Sequence, residues 1–387
     1  MTMSNKHIII IAGEASGDLH AAHLVNELKK IDPTLTFSGL GGSKMQDSGV
    51  KIYHDLTKIA VVGFWEVLKH YSEIKKAFLL ILEKIDEVKP ACVVLVDYPG
   101  FNLRLAKKLK QRNIKVVYYI SPQVWAWKEN RVHQIKKNID KMLVLFPFEK
   151  KFYARYGMEV TCVGHPLLDA IVINTPKEEF LDDINMAHYK LTIGLLPGSR
   201  PKEVEEHLPI MLETAEILNQ AFPMIQYLII KAPSIDGALI ERLTPKLPSF
   251  PLRIIYQNNY DAMNACNLCI VTSGTATLET AILQKPMVVI YKTSLLTWTL
   301  AKLFVKIPNI GLVNVVAGTK IVPECIQFQA TPHNIAHELE NIFTDEIKIA
   351  DIKAELRTVK EILGSIGASR RAAEEIVKVI TETSLGS

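Results

Sequence analysis

The sequence contains no apolar stretch long enough to cross a membrane. A transmembrane helix needs about 18 or more consecutive apolar residues, whereas apolar runs such as residues 8–12 and 78–82 have the length of a strand or a helix face. A signal peptide is not expected either, because Glu14 and Asp18 follow the first isoleucine run at once and no small-residue cleavage site is present. We therefore expect a cytoplasmic protein, even though its mean hydropathy is +0.14.

Cysteines are few, and acidic and basic residues nearly balance. The five cysteines are scattered and odd in number, which does not indicate a disulfide framework. Cys266 and Cys269 form a CxxC without a second pair or a nearby histidine, so we interpret them as a buried structural pair rather than a metal or redox site. The 45 basic and 41 acidic side chains give a net charge of +4, too small for nucleic acid to be the expected partner.

What the sequence does contain is a repeated alternation of short β-branched apolar runs with segments of helical periodicity. Its 387 residues, 48% of them hydrophobic, can build two or three packed domains. The predicted strands of the first half are 7–12, 91–96, 115–120, 142–145 and 160–163. Those of the second half are 191–196, 225–230, 252–256, 268–271 and 287–290. This alternation predicts two α/β domains, each a Rossmann-like doubly wound parallel sheet.

The join between the two halves is expected near residues 164–175, where Gly-His-Pro follows a strand and a polar stretch comes next. We expect an N-terminal domain over residues 1–170, a second domain over 171–365 and a packing helix over 366–387. Doubly wound sheets bind ligands at the carboxyl ends of their strands. We therefore expect the two sheets to face a central cleft that holds the active site.

Two segments carry more apolar residues than one buried helix face needs. Residues 64–85 trace one helical stripe, and further apolar side chains lie partly off it. Residues 295–305 have the same character, and lysines flank both segments. One interpretation is a helix packed on two neighbours, and the other is an interfacial helix that meets a lipid surface. The residues expected to contact membrane or acyl chains in the second case are Phe64, Trp65, Leu79 and Trp298.

A glycine-rich turn, Gly-Glu-Ala-Ser-Gly-Asp, follows the first predicted strand over residues 13–18. A turn of this kind directs backbone N–H groups and the positive end of a helix at a ligand, often an anion. Its glycines are four apart and no G-K-[S/T] follows, so it is neither the dinucleotide fingerprint nor a P-loop, which weakens the case for a dehydrogenase. We expect Glu14, Ser16 and Gly17 to contact a ligand and Asp18 to cap the helix.

Asp97 stands directly after the apolar strand predicted over residues 91–96. A carboxylate at the carboxyl end of a central strand is expected to face the ligand, and partial burial there raises its pKa toward that of a general base. Capping of the next helix is the alternative, but Pro99 and Gly100 stand between Asp97 and any helix start. We therefore favour a catalytic role for Asp97.

Two turns of the second half have the composition of phosphate-binding loops. The first follows a strand and contains Gly198, Ser199 and Arg200. The second follows a strand, opens a helix and contains Ser273, Gly274 and Thr275. An arginine fork binds phosphate oxygens in bidentate fashion, and a helix start binds anions. Glu279, one turn later, is either an ordinary first-turn acid or an acceptor for a ribose diol. Two such loops without a Walker lysine indicate a nucleotide diphosphate held as a leaving group.

Nine motifs stand in order along nearly the whole chain. They are GEASGD (13–18), the Asp97 loop, SPQVWAWKENR (121–131), LFPFE (145–149), VGHPLLD (163–169), LLPGSRPKEV (195–204), SGTATLE (273–279), LVNVVAG (312–318) and VPE (322–324). Together they resemble the lipid-A-disaccharide synthases, a glycosyltransferase family of the GT-B architecture. Single loops of this kind occur across nucleotide-sugar enzymes, but nine in order are highly specific.

The resemblance implies both a reaction and its residues. The sugar of UDP-2,3-diacylglucosamine is transferred to 2,3-diacylglucosamine 1-phosphate (lipid X), giving the β-1,6-linked lipid A disaccharide 1-phosphate and UDP. Asp97, Arg200 and Asn314 are implied as the catalytic residues, and Val313 departs from the proline that the family usually has before that asparagine. Acylated substrates imply a peripheral position at the cytoplasmic face of the inner membrane. The sequence leaves open whether the protein forms a homodimer.

The implied reaction inverts the anomeric configuration, with Asp97 as the base and Arg200 and a helix start stabilising the departing UDP. No D-x-D motif is present to hold a metal on the diphosphate, so no metal or other cofactor is expected. The rival enzymes are a transferase to another lipid and a UDP-N-acetylglucosamine 2-epimerase, for which only Asp97, Glu14 and His165 are candidates. A binding module without catalysis is the other alternative, disfavoured by the presence of Asp97, Arg200 and Asn314 together.

Overall fold

The computed structural model describes residues 6–58, 71–126, 129–244, 248–294, 298–299 and 309–385. The chain divides into two compact units. Unit 1 combines Met1–Asp169 with Leu363–Ser387, and unit 2 is Ala170–Ile362. Each unit is built on a parallel sheet with helices, so the predicted class of two doubly wound α/β domains is confirmed.

Seven parallel strands form the sheet of unit 1 in the part of the chain that the structure describes. They are β1 (His7–Ala12), β2 (Thr36–Gly41), β3 (Lys51–Asp55), β4 (Cys92–Val96), β5 (Val116–Tyr119), β6 (Lys141–Val144) and β7 (Thr161–Cys162). Their order in the sheet is β3-β2-β1-β4-β5-β6-β7. Strands β1 and β4 lie in the middle and are buried on both faces, which is why they consist of unbroken runs of isoleucine and valine.

The helices of this part of the chain follow the strands in sequence. They are α1 (Ala15–Ile31), α2 (Ser43–Asp47), α3 (Tyr71–Val88), α4 (Pro99–Lys110), α5 (Arg131–Asn138), α6 (Pro147–Ala154) and α7 (Leu167–Ala170). Proline opens both α4 and α6, at the helical position where a missing N–H leaves no hydrogen bond unmade.

Unit 2 repeats this arrangement with six described strands. They are β8 (Leu191–Leu196), β9 (Ile225–Ile230), β10 (Leu252–Ile255), β11 (Leu268–Thr272), β12 (Met287–Tyr291) and β13 (Glu324–Ile326), in the order β10-β9-β8-β11-β12-β13. The helices are α8 (Lys177–Asp183), α9 (Pro201–Ala221), α10 (Gly237–Leu243), α11 (Asn259–Ala265), α12 (Ala276–Ile282), α13 (Leu312–Ala317), α14 (Pro332–Phe343) and α15 (Glu346–Ile362). Cys266 and Cys269 are buried free thiols beside Gly194, as predicted for a structural pair.

The strand order of each sheet reverses between two neighbouring strands, β1 and β4 in unit 1 and β8 and β11 in unit 2. Doubly wound sheets bind their ligands just beyond the carboxyl ends of such strands. Ala12 pairs with Val96 at the end of β1 and β4, and Leu196 pairs with Val271 near the end of β8 and β11. The loops that follow these pairs therefore leave each sheet side by side, and they carry Glu14 and Asp97 in unit 1 and Arg200 and Ser273 in unit 2.

The last helix, α16 (Ala368–Leu385), packs against α1 within unit 1. Asp169 caps it by accepting two backbone N–H hydrogen bonds at 2.5 and 3.3 Å. Arg371 Nε donates to the backbone oxygen of Val163 at 2.8 Å. The sequence predicts a separate packing helix over residues 366–387, whereas the contacts make this helix part of unit 1. The VGHPLLD motif thus supplies the groups that dock the end of the chain.

Helix α3 buries one face and presents one large apolar side chain to solvent. Its fully or nearly buried apolar side chains are Ala77, Ile81, Leu82 and Ile85. Leu79 is 57% exposed. Phe64 and Trp65, the other residues predicted on this segment, lie outside the described residues, and Trp298 is half-buried. None of the helices in the described ranges is long and apolar enough to cross a membrane.

Candidate active site

Asp97 follows β4 in a left-handed backbone conformation, with a φ of +46°. Its N–H donates to the Tyr119 carbonyl at 3.0 Å. Its own carbonyl oxygen accepts from the Tyr118 hydroxyl at 2.5 Å and from Asn102 Nδ2 at 2.8 Å. Left-handed backbone at a non-glycine residue is strained by roughly 1–3 kcal/mol and persists only where the surroundings hold it. These three hydrogen bonds hold the main chain and leave the carboxylate at the carboxyl end of the sheet.

Helix α4 begins at Pro99, two residues after Asp97. The sequence suggests that Pro99 and Gly100 separate Asp97 from the helix, and this is wrong because they form its first turn. Tyr98, also left-handed with a φ of +46°, is the N-cap residue. Asp97 therefore does not cap α4, as the sequence predicts, but the reason is that Tyr98 occupies the N-cap position and not that a spacer separates Asp97 from the helix.

The pKa of Asp97 is raised to about 7, first by burial and then by the nearby charge of Glu14. A backbone hydrogen bond at Tyr98 opposes this shift and is the smaller effect. Glu14 follows β1 and is the N-cap residue of α1, so the two central strands deliver two carboxylates to the same place. The turn needs Gly13, since a Cβ there would lie 2.1 Å from the Tyr98 ring. A carboxylate with a pKa near 7 can take up a proton at neutral pH.

A cavity of about 220 Å³ opens beside the Asp97 carboxylate within unit 1. The residues that line it are Asp97, Pro99, Ile120, Ser121, Pro122, Gln123, Val124 and Arg131. Most of this lining comes from the segment after β5, which is the start of the SPQVWAWKENR motif. The motif therefore forms the wall of a cavity that contains the predicted base.

Glu149 is buried behind the cavity-lining residue Ser121 and holds the turn after β6. Its carboxylate accepts the backbone N–H groups of Leu145 and Phe146 at 3.1 and 3.0 Å, and burial raises its pKa to about 7. Ser121 Oγ lies 2.8 Å from the Tyr153 hydroxyl and also bonds to the Glu149 carboxylate. The LFPFE motif thereby fixes a polar side chain of the cavity wall.

Asp18 caps a helix, but not the one that the sequence predicts. Its carboxylate accepts three backbone N–H groups at the start of α2, at 2.7, 3.0 and 3.2 Å. The predicted cap of α1 is therefore wrong, because Glu14 is the N-cap residue there and makes no side-chain capping bond. Ser16, predicted to contact a ligand, is exposed, and Gly17 is buried.

His165, the histidine that an epimerase would need, is buried beside the end of β7. Its Nδ1 accepts from the backbone N–H of Leu167 at 3.2 Å. Burial, with a smaller contribution from His20, lowers its pKa to about 3. His165 is therefore a neutral side chain that stabilises the VGHPLLD turn.

The turn after β8 is held by Glu203, which lies in the first turn of α9. Its Oε1 accepts from Arg200 Nη1 at 2.7 Å, and its Oε2 accepts from the Ser199 N–H at 3.1 Å. Gly198 has a φ of +125°, and a Cβ there would lie 2.7 Å from the Glu203 side chain. Arg200 is the N-cap residue of this 21-residue helix, and its side chain is 47% exposed. The turn therefore holds a guanidinium at the positive end of a long helix, as an anionic ligand requires.

The turn after β11 keeps open space at its glycine. Gly274 has a φ of +152°, and no atom lies within 4 Å of the position that a Cβ would take. Ser273 Oγ donates to the Ile310 carbonyl at 3.0 Å, and Thr275 is exposed at the N-cap position of α12. Backbone N–H groups beside open space can receive an anion.

Glu279 lies one turn into α12. Burial raises the pKa of its carboxyl group, and the Tyr260 hydroxyl donates to its Oε1 at 3.1 Å. Glu149 in α6 is a first-turn acid that is also buried and hydrogen-bonded, so both interpretations of Glu279, a structural acid and an acceptor for a ribose diol, fit this geometry.

Asn314 is fully buried, and its side-chain amide is fully hydrogen-bonded. Its Nδ2 donates to the Val322 carbonyl at 2.9 Å and to Glu324 Oε1 at 2.8 Å. Its Oδ1 accepts from the N–H groups of Ile321 and Val322 at 2.9 and 3.1 Å. An asparagine amide has two donor hydrogens and two acceptor lone pairs, so all four positions are in use.

Glu324 connects Asn314 to the turn after β11 through the segment at Ile310 and Gly311. Its Oε2 accepts from the Ile310 N–H and its Oε1 from the Gly311 N–H, both at 3.0 Å. The carbonyl of Ile310 in turn accepts from Ser273. Asn314 and Ser273 are therefore joined through one carboxylate and one peptide segment.

Sequence reasoning did not single out Glu324 or Arg131 as site residues, although both lie in quoted motifs. The available signal was that each carries a charge inside one of the nine motifs. Within the described ranges, no group of three or more His, Cys, Asp or Glu side chains is arranged to hold a metal ion.

A family model described as lipid-A-disaccharide synthetase matches residues 8–380. The lipid-A-disaccharide synthase of Nitrosococcus oceani is 42% identical over 381 residues, which are 98% of this chain and 97% of that protein. A UDP-GlcNAc 2-epimerase from Neisseria meningitidis bound to UDP-GlcNAc superposes with a TM-score of 0.65 at 15% identity, covering 96% of this chain and 100% of that one. MurG of Acinetobacter baumannii gives a TM-score of 0.57 at 16% identity, covering 96% and 99%. The structural likenesses concern the fold, which is GT-B.

Proposed function

The chain belongs to the lipid-A-disaccharide synthase family of glycosyltransferases, and on that basis we propose that it joins UDP-2,3-diacylglucosamine to 2,3-diacylglucosamine 1-phosphate. The products are the β-1,6-linked disaccharide 1-phosphate and UDP. The observation that carries the proposal is Asp97, a carboxylate at the strand-order reversal of unit 1, beside a cavity and with a pKa of about 7. Unit 1 binds the acceptor in this proposal, and unit 2 binds the UDP-sugar.

Asp97 acts as the general base. An α-linked donor that gives a β product reacts by direct attack of the acceptor 6-hydroxyl on the anomeric carbon. Single displacement needs one base for the hydroxyl proton, whereas retention would need an enzyme nucleophile as well. The raised pKa of Asp97 means that the carboxyl group retains the proton once it has taken it.

Arg200 and the turn after β11 stabilise the departing UDP. Negative charge on the diphosphate grows as its bond to the sugar breaks, and donors that are already in place lower this barrier most. Glu203 fixes Arg200 before any ligand binds, and the space at Gly274 exposes backbone to the diphosphate. Glu279 accepts hydrogen bonds from the ribose in this proposal.

Replacing Arg200 by alanine is expected to lower kcat/KM for the UDP-sugar by about 10- to 100-fold, since a hydrogen-bonded charge pair contributes about 1.5–3 kcal/mol. Initial rates at varied donor concentration measure the change. Arg242→Ala is the matched control, because Arg242 is an exposed arginine of unit 2 that pairs with Glu205. Wild-type kinetics in the Arg200 variant would exclude Arg200 from the donor site.

Activity is expected to survive treatment with EDTA, because the sequence has no D-x-D motif to place a metal on the diphosphate. In the proposal, Arg200 and the helix starts of unit 2 supply the positive potential instead. Rates before and after chelation and gel filtration measure this. Complete loss of activity that magnesium restores would contradict it.

Leu79, on the outer face of α3 with exposed Lys75 and Lys76 one turn before it, is a proposed lipid contact. Leu79→Ser is expected to weaken binding to vesicles of phosphatidylglycerol and phosphatidylethanolamine by about 10- to 100-fold, since full burial of a leucine side chain contributes about 1.5–3 kcal/mol. Co-sedimentation measures the partition. The control is Ile347→Ser, at an apolar side chain of unit 2 that is 74% exposed. Equal binding by all three proteins would place Leu79 outside the membrane contact.

Mass spectrometry of the products tests the proposed function directly. UDP-2,3-diacylglucosamine and 2,3-diacylglucosamine 1-phosphate should give one disaccharide 1-phosphate and one UDP, and nuclear magnetic resonance should show a β linkage. An α linkage would contradict direct displacement. A donor epimerised at C2 without acceptor would indicate the epimerase chemistry instead.

A further inference from the structure

The cavity beside Asp97 carries two opposite charges. Asp97 supplies a carboxylate, Arg131 supplies a guanidinium, and the polar side chains of Ser121 and Gln123 belong to the same lining. We propose that Arg131 binds the phosphate of the acceptor sugar while Asp97 faces the hydroxyl that attacks. This inference rests on the proposed function, from which it takes a phosphorylated acceptor.

Arg131 and Asp97 act on one common neighbour, the hydroxyl of Tyr118. This hydroxyl donates to the Asp97 carbonyl oxygen at 2.5 Å. Burial raises the pKa of Tyr118, the Asp97 charge adds to the rise, and the Arg131 charge opposes it. The two charges therefore act on the same buried hydroxyl, and both residues line the one cavity.

The side chain and its position both suit a phosphate. Arg131 is the first residue of α5, so the positive end of that helix adds to the charge of the guanidinium. An arginine fork donates two parallel hydrogen bonds to phosphate oxygens, which a lysine cannot do. Arg131 is half-buried, so part of its hydration shell is already removed in the free protein.

The cavity is large enough for the sugar headgroup of the acceptor but too small for its acyl chains. About 220 Å³ is less than the roughly 300–1,000 Å³ of pockets for drug-sized ligands, and it suits one sugar ring with its phosphate. In a hexopyranose the carbon that bears the anomeric phosphate and the carbon that bears the hydroxymethyl group flank the ring oxygen. A base and a guanidinium on one cavity can therefore contact both substituents of one ring, while the acyl chains stay outside.

The donor diphosphate is the other phosphate that a guanidinium here could bind. In the proposed function that diphosphate is served by Arg200 and the turn after β11, all of which belong to unit 2. Arg131 instead shares its cavity with the residue that accepts the proton of the acceptor. The acceptor phosphate is therefore the assigned ligand, and the experiment includes an arm for the donor.

Two acceptors, 2,3-diacylglucosamine 1-phosphate and 2,3-diacylglucosamine, test the assignment with UDP-2,3-diacylglucosamine held constant. In the wild type, kcat/KM for the phosphorylated acceptor should exceed that for the other by about 10- to 100-fold. In Arg131→Ala this ratio should fall to about 1, and Arg131→Lys should give an intermediate ratio. Arg112→Ala, at an arginine bonded to Asp86 on the surface of unit 1, is the matched control and should keep the wild-type ratio.

Three outcomes would overturn the assignment. If Arg131→Ala lowers kcat/KM for both acceptors by the same factor, the change has damaged the structure rather than the recognition of phosphate. Weakening of UDP binding in this variant by tenfold or more would assign the guanidinium to the donor. Should the wild type make no disaccharide from either acceptor, the proposed function fails, and saturation-transfer measurements with glucosamine 1-phosphate against glucosamine decide the phosphate site separately. Equal signals from these two compounds would overturn it.

Discussion

Asp97→Asn is expected to lower kcat by about 100- to 10,000-fold, the range that a positioned general base contributes. The amide cannot accept the proton of the acceptor hydroxyl. Asparagine tolerates the left-handed conformation that Asp97 adopts, so the main chain and the cavity should persist. Steady-state rates measure the loss, and calorimetric titration with UDP should give the wild-type affinity because the UDP site proposed above belongs to unit 2. An unchanged kcat would remove Asp97 from the role of base.

The same change should stabilise the fold at alkaline pH. The folded-state pKa of Asp97, about 7, lies above its ordinary value of 3.8, so the protonated form is favoured by folding. Its stabilising contribution is complete below pH 4 and is lost as the pH rises to about 7. The melting temperature of Asp97→Asn relative to the wild type should therefore increase over this interval. Asp183→Asn, at an exposed carboxylate of α8, is the control that should show no such trend.

A pH profile identifies the titrating group. The logarithm of kcat/KM should rise with pH and level off near pH 7, because the base must be ionised. Glu14→Gln removes the charge that adds to this pKa and should move the bend toward lower pH. A bend that stays in place in Glu14→Gln would mean that another group titrates.

Asn314→Ala is expected to reduce the free energy of unfolding by about 3–5 kcal/mol. The change removes four hydrogen bonds at once and leaves three backbone groups and the Glu324 carboxylate without their partner. The segment at Ile310 then loses its fixed position beside Ser273, so the KM for the UDP-sugar should rise as well. Chemical denaturation and donor kinetics measure the two effects.

This result would make Asn314 a positioning residue rather than the catalytic residue that the family resemblance implies. Glu324→Gln should reproduce the rise in KM, because it weakens the same carboxylate contacts to Ile310 and Gly311. Asn26→Ala, at an exposed asparagine of α1, should change stability by less than about 0.5 kcal/mol. An Asn314→Ala protein with wild-type stability and low kcat would show instead that Asn314 reaches the substrate.

The sequence predicted the buried strands well and the others poorly. The bounds predicted for β8 and β9 agree with the structure, because a strand buried on both faces is a continuous apolar run. The strands β2, β3 and β13 were missed. β2 contains two glycines, β3 is polar at the edge of its sheet, and β13 has three residues, so none of them has an apolar run of strand length.

Much of the candidate site could be predicted because it follows from topology. A carboxylate directly after a central strand lies at the carboxyl end of its sheet, so the position of Glu14 and that of Asp97 could each be predicted, while their proximity follows from the pairing of β1 with β4. What could not be predicted are contacts between segments that are distant along the chain. Asp18 caps a helix 24 residues later, and Asn314 binds a carboxylate across a turn. Spacing in a sequence does not carry this information.

The position of α16 has a consequence for how the protein forms during synthesis. Unit 1 is built from residues on both sides of unit 2, which is inserted between Asp169 and Leu363. The ribosome therefore releases all of unit 2 before the helix that covers α1 exists, although domains near an N-terminus generally fold first. The apolar face of α1 must wait until Ala368–Leu385 have been translated, and truncation before residue 368 should leave the first domain unfinished while the second is complete.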